Sequence, residues 1–452
     1  MKFRKNLTAL VAVVGIVTAT SARAERLVDA LTHAYEHSGL LQQNRALLRA
    51  ADEDVALAVA ATLPVVSWSL NATATEPRNP GTELIQATAQ ISAQLTLYDG
   101  GAGKIGVEAQ KELVLGTRQS LRNVEQQVLL RAVQAYMNVR REFEFVALRQ
   151  NNVRLITQEF RAAKDRFDVG EVTRTDVALA EARLASARSL LASAEGNLAR
   201  ASEEFRAVIG RYPSNPHPAS PAPVSKSLNE AKAFAVRNHP AILETRHSVT
   251  AAELNIRRAE AAYNPTVSLS GTLGIDGNGD TGQQVGVTVS GPIYAGGRLA
   301  ATVRQFQARR DATRAALHIT RHGLEQEVGN AFAFLQVARA SRQASDQQVR
   351  ASTVAFRGVR EEATLGARTT LDVLNAEQEL LNARANVISA QADEVIASYS
   401  LLAAMGLLTA EHLKLPVQHY DPSAYYNLVK EAPTTLSDQG QALDRVLRAI
   451  GQ

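Results

Sequence analysis

PIYAGGRLAATVRQ, residues 292–305, changes its periodicity in the middle. Just upstream, QVGVTVSGP (284–292) alternates apolar with small or polar residues, as a strand does. Beyond Gly296 and Gly297 the pattern is helical. Glycine reaches backbone angles that other residues avoid, so two of them at the join mark a sharp change of conformation. The same switch stands at LYDGGAGKIGVEAQ (97–110), with Gly100 and Gly101 at its join. Pro292 is poorly suited to a paired strand and should end or bend the ladder there. The first copy has Thr96 in that place, so the glycines are the shared element.

The echo extends along the chain. Tyr98–Gly101 precedes Tyr294–Gly297 by 196 residues. FDVGEVTRTDVALAEARL (167–184) precedes ATLGARTTLDVLNAEQEL (363–380) by the same offset, pairing Gly170 with Gly366 and Asp176 with Asp372. Upstream, Pro64 and Pro265 are 201 apart, so five residues are lost between the prolines and the glycines. A repeat of this length implies two copies of a domain-sized unit. The expected division is 25–210 for the first copy, 211–227 for a Pro-rich linker (RYPSNPHPASPAPVSK and its edge), 228–406 for the second copy, and 407–452 for a C-terminal segment and tail.

Each copy reads helix, strand, strand, long helix, turn, helix. Strands are expected at 64–76, 84–98, 265–275 and 283–294. IQATAQISAQLTL (85–97) places Ile85, Ala87, Ala89, Ile91, Ala93, Leu95 and Leu97 on one face, and only Gln, Thr and Ser on the other. VVSWSLNATA (65–74) does the same with Val66, Trp68, Leu70 and Ala72. An uncharged small-polar face opposite an apolar one, over about ten residues, is the pattern of a membrane β-barrel strand. The loops 76–83 and 276–282 carry Gly, Pro, Asn and Asp, as exposed tips do. Helical hairpins are expected over 102–208 and 298–405. Residues 102–167 lack proline and read as one helix on the order of 100 Å long at about 1.5 Å per residue. The stretches 26–61 and 173–208 each read as one helix of about half that length, as do 228–262 and 369–405. The fold class is therefore mixed but mainly α: one long helix beside two stacked half-length ones, with strands at one end and turns near 168–172 and 364–368 at the other.

Composition narrows the function. The chain of 452 residues has no cysteine, which excludes disulfides and Cys-based metal sites. Residues 1–24 have a basic start (Lys2, Arg4, Lys5), a short apolar core (Leu7 to Val17) and Ala22-Arg23-Ala24, as a signal peptide cleaved after Ala24 does. Four of the 49 basic residues lie there, leaving 45 against 45 acidic ones, so no nucleic-acid partner is expected. No later stretch reaches the ~18 apolar residues of a membrane-spanning helix. The route into a membrane that remains is a closed barrel. Four strands do not close one, since membrane barrels begin at about eight, so several chains must contribute, and three give twelve strands.

Three motifs suggest chemistry and are weak. His33-Ala-Tyr-Glu36-His37 fits the H-x-x-E-H zinc-protease pattern, but its repeat mate at 234–238 has neither histidine. His318 and His322 are one helical turn apart. Asp276-Gly-Asn-Gly-Asp280 opens like a calcium loop, yet Thr281 and Val287 stand where glycine and glutamate are required. A surface helix or loop accounts for each. No catalytic residue, metal or cofactor is expected. A secreted zinc protease and a coiled-coil adhesive protein are the distant alternatives.

The signal sequence, the repeat, the strand-GG-helix joins and the GARTTLDVLNAEQELLNAR turn (366–384) resemble the TolC family of outer-membrane export proteins over nearly all of 25–420. The resemblance implies a homotrimer, with a 12-stranded barrel in the outer-membrane lipid of a Gram-negative bacterium and a 12-helix periplasmic α-barrel. It implies an exit duct for efflux of drugs, detergents or other toxic compounds, or for type I protein secretion. Its partners would be a periplasmic adaptor and an inner-membrane transporter of the RND, ABC or MFS class. The duct would open by untwisting of its periplasmic tips. Arg368, Asp176 and Thr175 correspond to a latch that holds the closed state; a further tyrosine of the family is Ala363 here. Asp372 and Asn375 correspond to the constriction, where the family's second carboxylate is replaced by Asn375. Val169, Gly170 and Glu171, with Leu365, Gly366 and Ala367, correspond to the tips that receive the adaptor. Gly100, Gly101, Pro292, Gly296 and Gly297 form the joint between barrel and helices.

Overall fold

Long runs rich in Ala, Leu, Glu, Gln and Arg and free of proline favour helix throughout their length. The computed structural model describes residues 25–74, 85–224 and 227–450. The signal sequence, the 76–83 loop and linker positions 225 and 226 lie outside the described residues. In the first copy the elements are α1 (Leu27–His37), α2 (Gly39–Ala60), β1 (Val65–Ala74), β2 (Ile85–Tyr98), α3 (Ala102–Asp168) and α4 (Arg174–Ile209). In the second they are α5 (Leu228–Asn238), α6 (Pro240–Ala261), β3 (Thr266–Asp276), β4 (Thr281–Ser290), α7 (Arg298–Thr364) and α8 (Thr370–Ala404). α9 (Pro422–Val429) and α10 (Asp438–Ile450) follow. α3 and α7 have 67 residues each, α1 and α5 have 11, and α2 and α6 have 22.

Where one helix is expected over 26–61 and another over 228–262, each is broken in two. At the first break, Ser38 adopts an extended conformation and its Oγ accepts from Leu41 N at 3.2 Å, starting a new helix. At the second, Pro240 has no N–H to continue α5 and takes the first position of α6, while His239 Nδ1 accepts from Ala241 N at 3.2 Å. The C-terminal segment contains a helix, α9, capped by Asp421, whose Oδ1 accepts from Ser423 N at 2.8 Å, with Pro422 at its first position.

The four strands form one antiparallel sheet in the order β1-β2-β3-β4. Its register aligns the two faces across both copies. Trp68 stands opposite Ile91 and Ile91 opposite Leu273; Val66, Ala93, Gly271 and Val285 form the neighbouring row. The other face has rows such as Ser67, Ser92, Thr272 and Gln284, with Ser67 and Ser92 hydroxyls 2.8 Å apart. Among the described residues nothing covers the apolar face: Trp68 and Val285 are each 80% exposed. Among the described residues β1 and β4 each have one neighbour, so both edges of the sheet are open. β4 begins at Thr281 and ends at Ser290, two residues before Pro292, instead of running to 294. No helix among the described residues is long and apolar enough to cross a membrane.

The helices form a layer. α3 packs on α2 and α6 near the sheet and on α4 and α8 farther away; α7 packs on α6 and then α8. Val114 of α3 meets Leu48 and Val55 of α2, and far along the same helix Ile156 meets Leu184 of α4 and Leu374 of α8. A belt surrounds the middle, where α1, α5 and the linker cover one face of the layer. Leu31, Tyr136, Phe205, Val328, Leu401 and Leu408 are fully buried there. The Tyr136 hydroxyl lies 2.7 Å from the carbonyls of both Glu25 and His217, tying the linker to the start of α1. Arg211 pairs with Glu25 at 2.8 Å, and Ala222 N donates to Ser398 Oγ at 2.8 Å. α9 and α10 lie against α2 through Tyr425, Val429 and Leu443.

Candidate functional site

Two sets of residues lie at opposite ends of the long helices. At the sheet end, all four glycines have left-handed angles: φ is 68° at Gly100, 86° at Gly101, 57° at Gly296 and 81° at Gly297. Gly101 and Gly297 are the residues from which α3 and α7 start. The two joints are not equivalent. A Cβ on Gly100 would lie 2.7 Å from Asn264 Nδ2 and 2.9 Å from the Ala261 carbonyl, whereas one on Gly296 meets nothing within 4 Å. Asp99 also reinforces the first joint: Oδ1 accepts from Gly101 N at 2.9 Å and Oδ2 from Gly103 N at 2.6 Å. Ala295 holds the corresponding place and has no such group. The carboxylate just before a helix was the available signal for Asp99.

At the far end, two tips repeat one geometry. Gly170 (φ 81°) and Gly366 (φ 79°) end α3 and α7. Gly170 N donates to Phe167 O at 3.0 Å and Glu171 N to Arg166 O at 2.9 Å; Gly366 N donates to Ala363 O at 3.1 Å and Ala367 N to Glu362 O at 2.9 Å. This is the glycine-terminated C-cap that satisfies the last carbonyls of a helix. Three residues on, Thr173 and Thr369 start α4 and α8 with capping boxes completed by Asp176 and Asp372. Thr173 N and Oγ1 donate to Asp176 Oδ2 at 2.9 and 2.7 Å; Thr369 N and Oγ1 donate to Asp372 Oδ2 at 3.0 and 2.8 Å. These bonds hold both carboxyls below the usual range: from the Thr173 side chain then its backbone for Asp176, and from the Thr369 backbone then its side chain for Asp372. Both are thus anionic at neutral pH. At the summit, Val169 and Leu365 are 72% and 85% exposed.

Within one chain Arg368 does not meet Asp176 or Thr175. Its Nε donates to Glu362 Oε2 at 2.8 Å. Asn375 is exposed, and its Oδ1 accepts from Arg183 of α4 at 3.4 Å. Neither Glu362 nor Arg183 was legible as a partner, because each lies on a different element from the residue it touches. A further polar contact behind the tips was also missed. Glu377 of α8 and Asn152 of α3 are buried, with Asn152 Nδ2 donating to Glu377 Oε1 at 3.3 Å. Burial first, and then repulsion by Glu159, push the Glu377 carboxyl up to about 7, against the Asn152 hydrogen bond and Arg360.

The weak motifs have structural places. His37 packs against Gly210 at the end of α4. Asp276 Oδ1 accepts from Asn278 N at 3.0 Å and Asp280 N at 2.9 Å, shaping the β3–β4 turn. Among the described residues no group of three or more His, Cys, Asp or Glu side chains could hold a metal ion.

With this geometry in view, the sequence matches the outer membrane efflux protein family over residues 30–211 and 234–407, one segment for each copy of the repeat. Outer membrane efflux protein BepC of Brucella suis is 37% identical over 427 residues, covering 92% of this chain and 93% of that protein. Outer membrane protein TolC of Escherichia coli is 24% identical over 419 residues, covering 87% and 84%. The crystal structure of the outer membrane protein VceC from Vibrio cholerae is similar with a TM-score of 0.71 at 19% identity, covering 84% of this chain and 96% of that one. At that identity the likeness speaks for the fold alone.

Gly100→Ala should therefore lower the yield of folded protein far more than Gly296→Ala, because the first adds a clash to the backbone strain that both share. The check is the amount of heat-resistant assembled protein recovered from membranes; equal yields would show that packing at Asn264 is unimportant. A raised folded-state pKa means that the contact around Glu377 favours the protonated acid. Its contribution is complete below the ordinary carboxylate pKa of 4.5 and is lost as pH rises through about 7. Glu377→Gln should flatten the pH dependence of thermal stability between about pH 5 and 8 and stabilise the protein at the alkaline end, by at most about 3 kcal/mol. An unchanged slope in melting curves would assign the titration elsewhere.

Proposed function

Since this chain belongs to the outer membrane efflux protein family, we infer that it is an outer-membrane exit duct, serving efflux or type I secretion. The observation that carries this reading is the sheet: four strands, one apolar face left uncovered, and both edges unpaired. In water such a face invites aggregation. In hydrocarbon it is the required surface, but each unpaired edge then costs several kcal/mol for every unsatisfied backbone group. Pairing β4 of one copy with β1 of the next removes both edges. Three copies close a ring of twelve strands, and the small-polar face becomes the lining of a water-filled pore.

The helix layer supports the same closure. Its rim helices are α7 on one side and α2 with α4 on the other. Ile319, Val337 and Val354 of α7 and Leu40, Leu47 and Leu57 of α2 are exposed there. Joining these rims between copies continues the barrel as a tunnel of packed helices across the periplasm. The glycine joints change the backbone direction at the membrane surface.

The tips are the gate. Each capping bond uses only Oδ2 of Asp176 or Asp372, so Oδ1 of each makes no hydrogen bond among the described residues. Arg368 reaches Asp176 and Thr175 of a neighbouring coil when it exchanges Glu362 for them, and this link holds the closed state. Three Asp372 carboxylates form one acidic ring at the mouth, with Asn375 below it. The apolar knobs Val169 and Leu365 and the adjoining open turns receive a periplasmic adaptor, which brings an inner-membrane transporter of the RND, ABC or MFS class. The duct itself performs no chemistry.

Fractionation and chemical crosslinking test the assembly: a trimer in the outer membrane is expected, and a soluble monomer overturns the reading. In planar bilayers Arg368→Ala should raise single-channel conductance severalfold. Asp372→Ala should weaken block by a trivalent cation by about tenfold, since a ring of like charges concentrates counterions at a constriction. Unchanged conductance removes the latch assignment, and unchanged block places the ring elsewhere.

A further inference from the structure

Stacking two half-length helices beside a long one leaves a seam in each copy of the repeat. One seam lies where α4 ends and α2 begins, the other where α8 ends and α6 begins. Both are built alike. Gly210 and Gly406 stand just past α4 and α8 with φ of 90° and 78°. Each abuts an imidazole: a Cβ on Gly210 would lie 2.6 Å from His37 Cγ, and one on Gly406 would lie 3.2 Å from His239 Cδ2. At the second seam a notch of about 370 Å³ opens, lined by His239 and Ala241 and by Asn123 and Gln126 of α3. Gln126 is only 3% exposed, yet neither its amide nitrogen nor its amide oxygen has a hydrogen-bond partner among the described residues. That position on the long helix is therefore one where a polar group is buried and left to find a partner.

The first seam has a long helix, α3, on one side only. In the ring, α7 of one copy takes the open side of the α2–α4 stack of the next, as α3 takes that side of the α6–α8 stack. α7 matches α3 residue for residue at an offset of 196, and α1 and α2 match α5 and α6 at 201. The residues that answer Asn123 and Ala241 are Ile319 and Leu40, and both are apolar side chains exposed in the single chain. The residue that answers Gln126 is His322, whose side chain is 73% exposed until a neighbour covers it. His318 lies one turn nearer the sheet, about 40° round the helix toward Phe332, which packs against the belt. α1, which ends at His37, is part of that belt. Closing the ring thus brings His318 and His322 of one copy to His37 of the next. His37 and His318 have no hydrogen-bond partner among the described residues. His322 has only Glu325, whose Oε2 is 3.8 Å from Nδ1, where it favours a proton on that nitrogen and leaves Nε2 for a metal.

We propose that each junction between copies holds a divalent transition-metal ion of the zinc class, ligated by His318 and His322 of one copy and His37 of the next. Two histidines one helical turn apart aim two nitrogens at one point, as in zinc-binding helices. A third imidazole completes a set that, with one water, is tetrahedral. Imidazole suits zinc, copper and nickel over calcium or magnesium, and the chain has no cysteine to compete for them. Among the described residues no such group forms within one chain, so the site exists only in the ring, where the ion clamps the middle of the wall. The inference rests on the ring of the exit-duct reading and adds an ion and its ligands to it.

The test uses the untagged, assembled protein in lipid nanodiscs, stripped with EDTA, with equilibrium dialysis against zinc and empty discs subtracted. Saturable binding of one ion per chain is expected. It should weaken by more than about tenfold in His322→Gln, which copies the amide of Gln126, and in His37→Ala. Zinc should also raise the temperature at which the assembly dissociates, and should not do so in His322→Gln. No binding above empty discs, binding unchanged in His322→Gln, or equal binding by dissociated single chains overturns the proposal. Cobalt(II) in place of zinc needs no variant, so it decides the matter even if His37→Ala, whose ring packs on Gly210, assembles poorly. The strong visible absorption of a tetrahedral site is expected, and a spectrum like that of hydrated cobalt overturns the proposal. Conductance of the same preparation separates the two readings: a conducting trimer that binds no zinc refutes the metal site alone, and a chain that stays monomeric and non-conducting refutes the duct and the site with it.

Discussion

A β-strand placed in hydrocarbon must have a neighbour on each side. Every N–H and C=O along its edge otherwise loses water and gains nothing. Among the described residues there are four strands, with one apolar face uncovered and two bare edges. That single backbone requirement makes assembly a condition of membrane entry. In the proposed duct it also couples the parts, because the helices that follow β2 and β4 are carried round with the ring of strands.

The two-fold repeat meets this requirement economically. α3 and α7 are equal in length, as are α1 and α5 and α2 and α6, so both copies span the same height and can stand side by side in one wall. The length difference between copies falls between Pro64 and Gly100 against Pro265 and Gly296, in the strands and their loop. The glycine joints convert one geometry into the other without a long linker. Only one of them is tightly packed, since Gly100 sits against Asn264 whereas Gly296 faces open space. Equal lengths with unequal joints mean that the copies share a scaffold and divide local duties.

At the tips, order is built locally. The caps that end α3 and α7 and begin α4 and α8 are made within each turn, from Gly170, Thr173 and Asp176 and from Gly366, Thr369 and Asp372. Each turn is therefore capped from within. Contacts between elements there combine polar pairs, Arg183 with Asn375 and buried Asn152 with Glu377, with a small apolar cluster of Ile156, Leu184, Ala187 and Leu374. That cluster is small, whereas the belt around Tyr136 and Phe205 is large and fully buried and holds the middle firm.

The sequence by itself determined the features governed by local periodicity and backbone chemistry. Alternation over 85–97 settled a strand with one apolar face, the glycines at 100–101 and 296–297 settled the joins, and proline-free runs settled the long helices. The offsets of 196 and 201 placed the length change in the hairpin. Capping chemistry was legible at Gly170, Gly366, Asp176 and Asp372. The breaks at Ser38 and Pro240 had signals, a serine followed by glycine and a proline, but the apolar pattern ran through both and concealed them. What only the tertiary structure decided depends on which distant residues meet. No spacing along the chain brings Arg183 to Asn375, Asn152 to Glu377 or Asn264 to Gly100. Nor does it leave Gln126 buried without a partner at the seam between α8 and α6. These follow from how helices of fixed length pack side by side, and packing depends on surfaces that sequence order does not encode pair by pair.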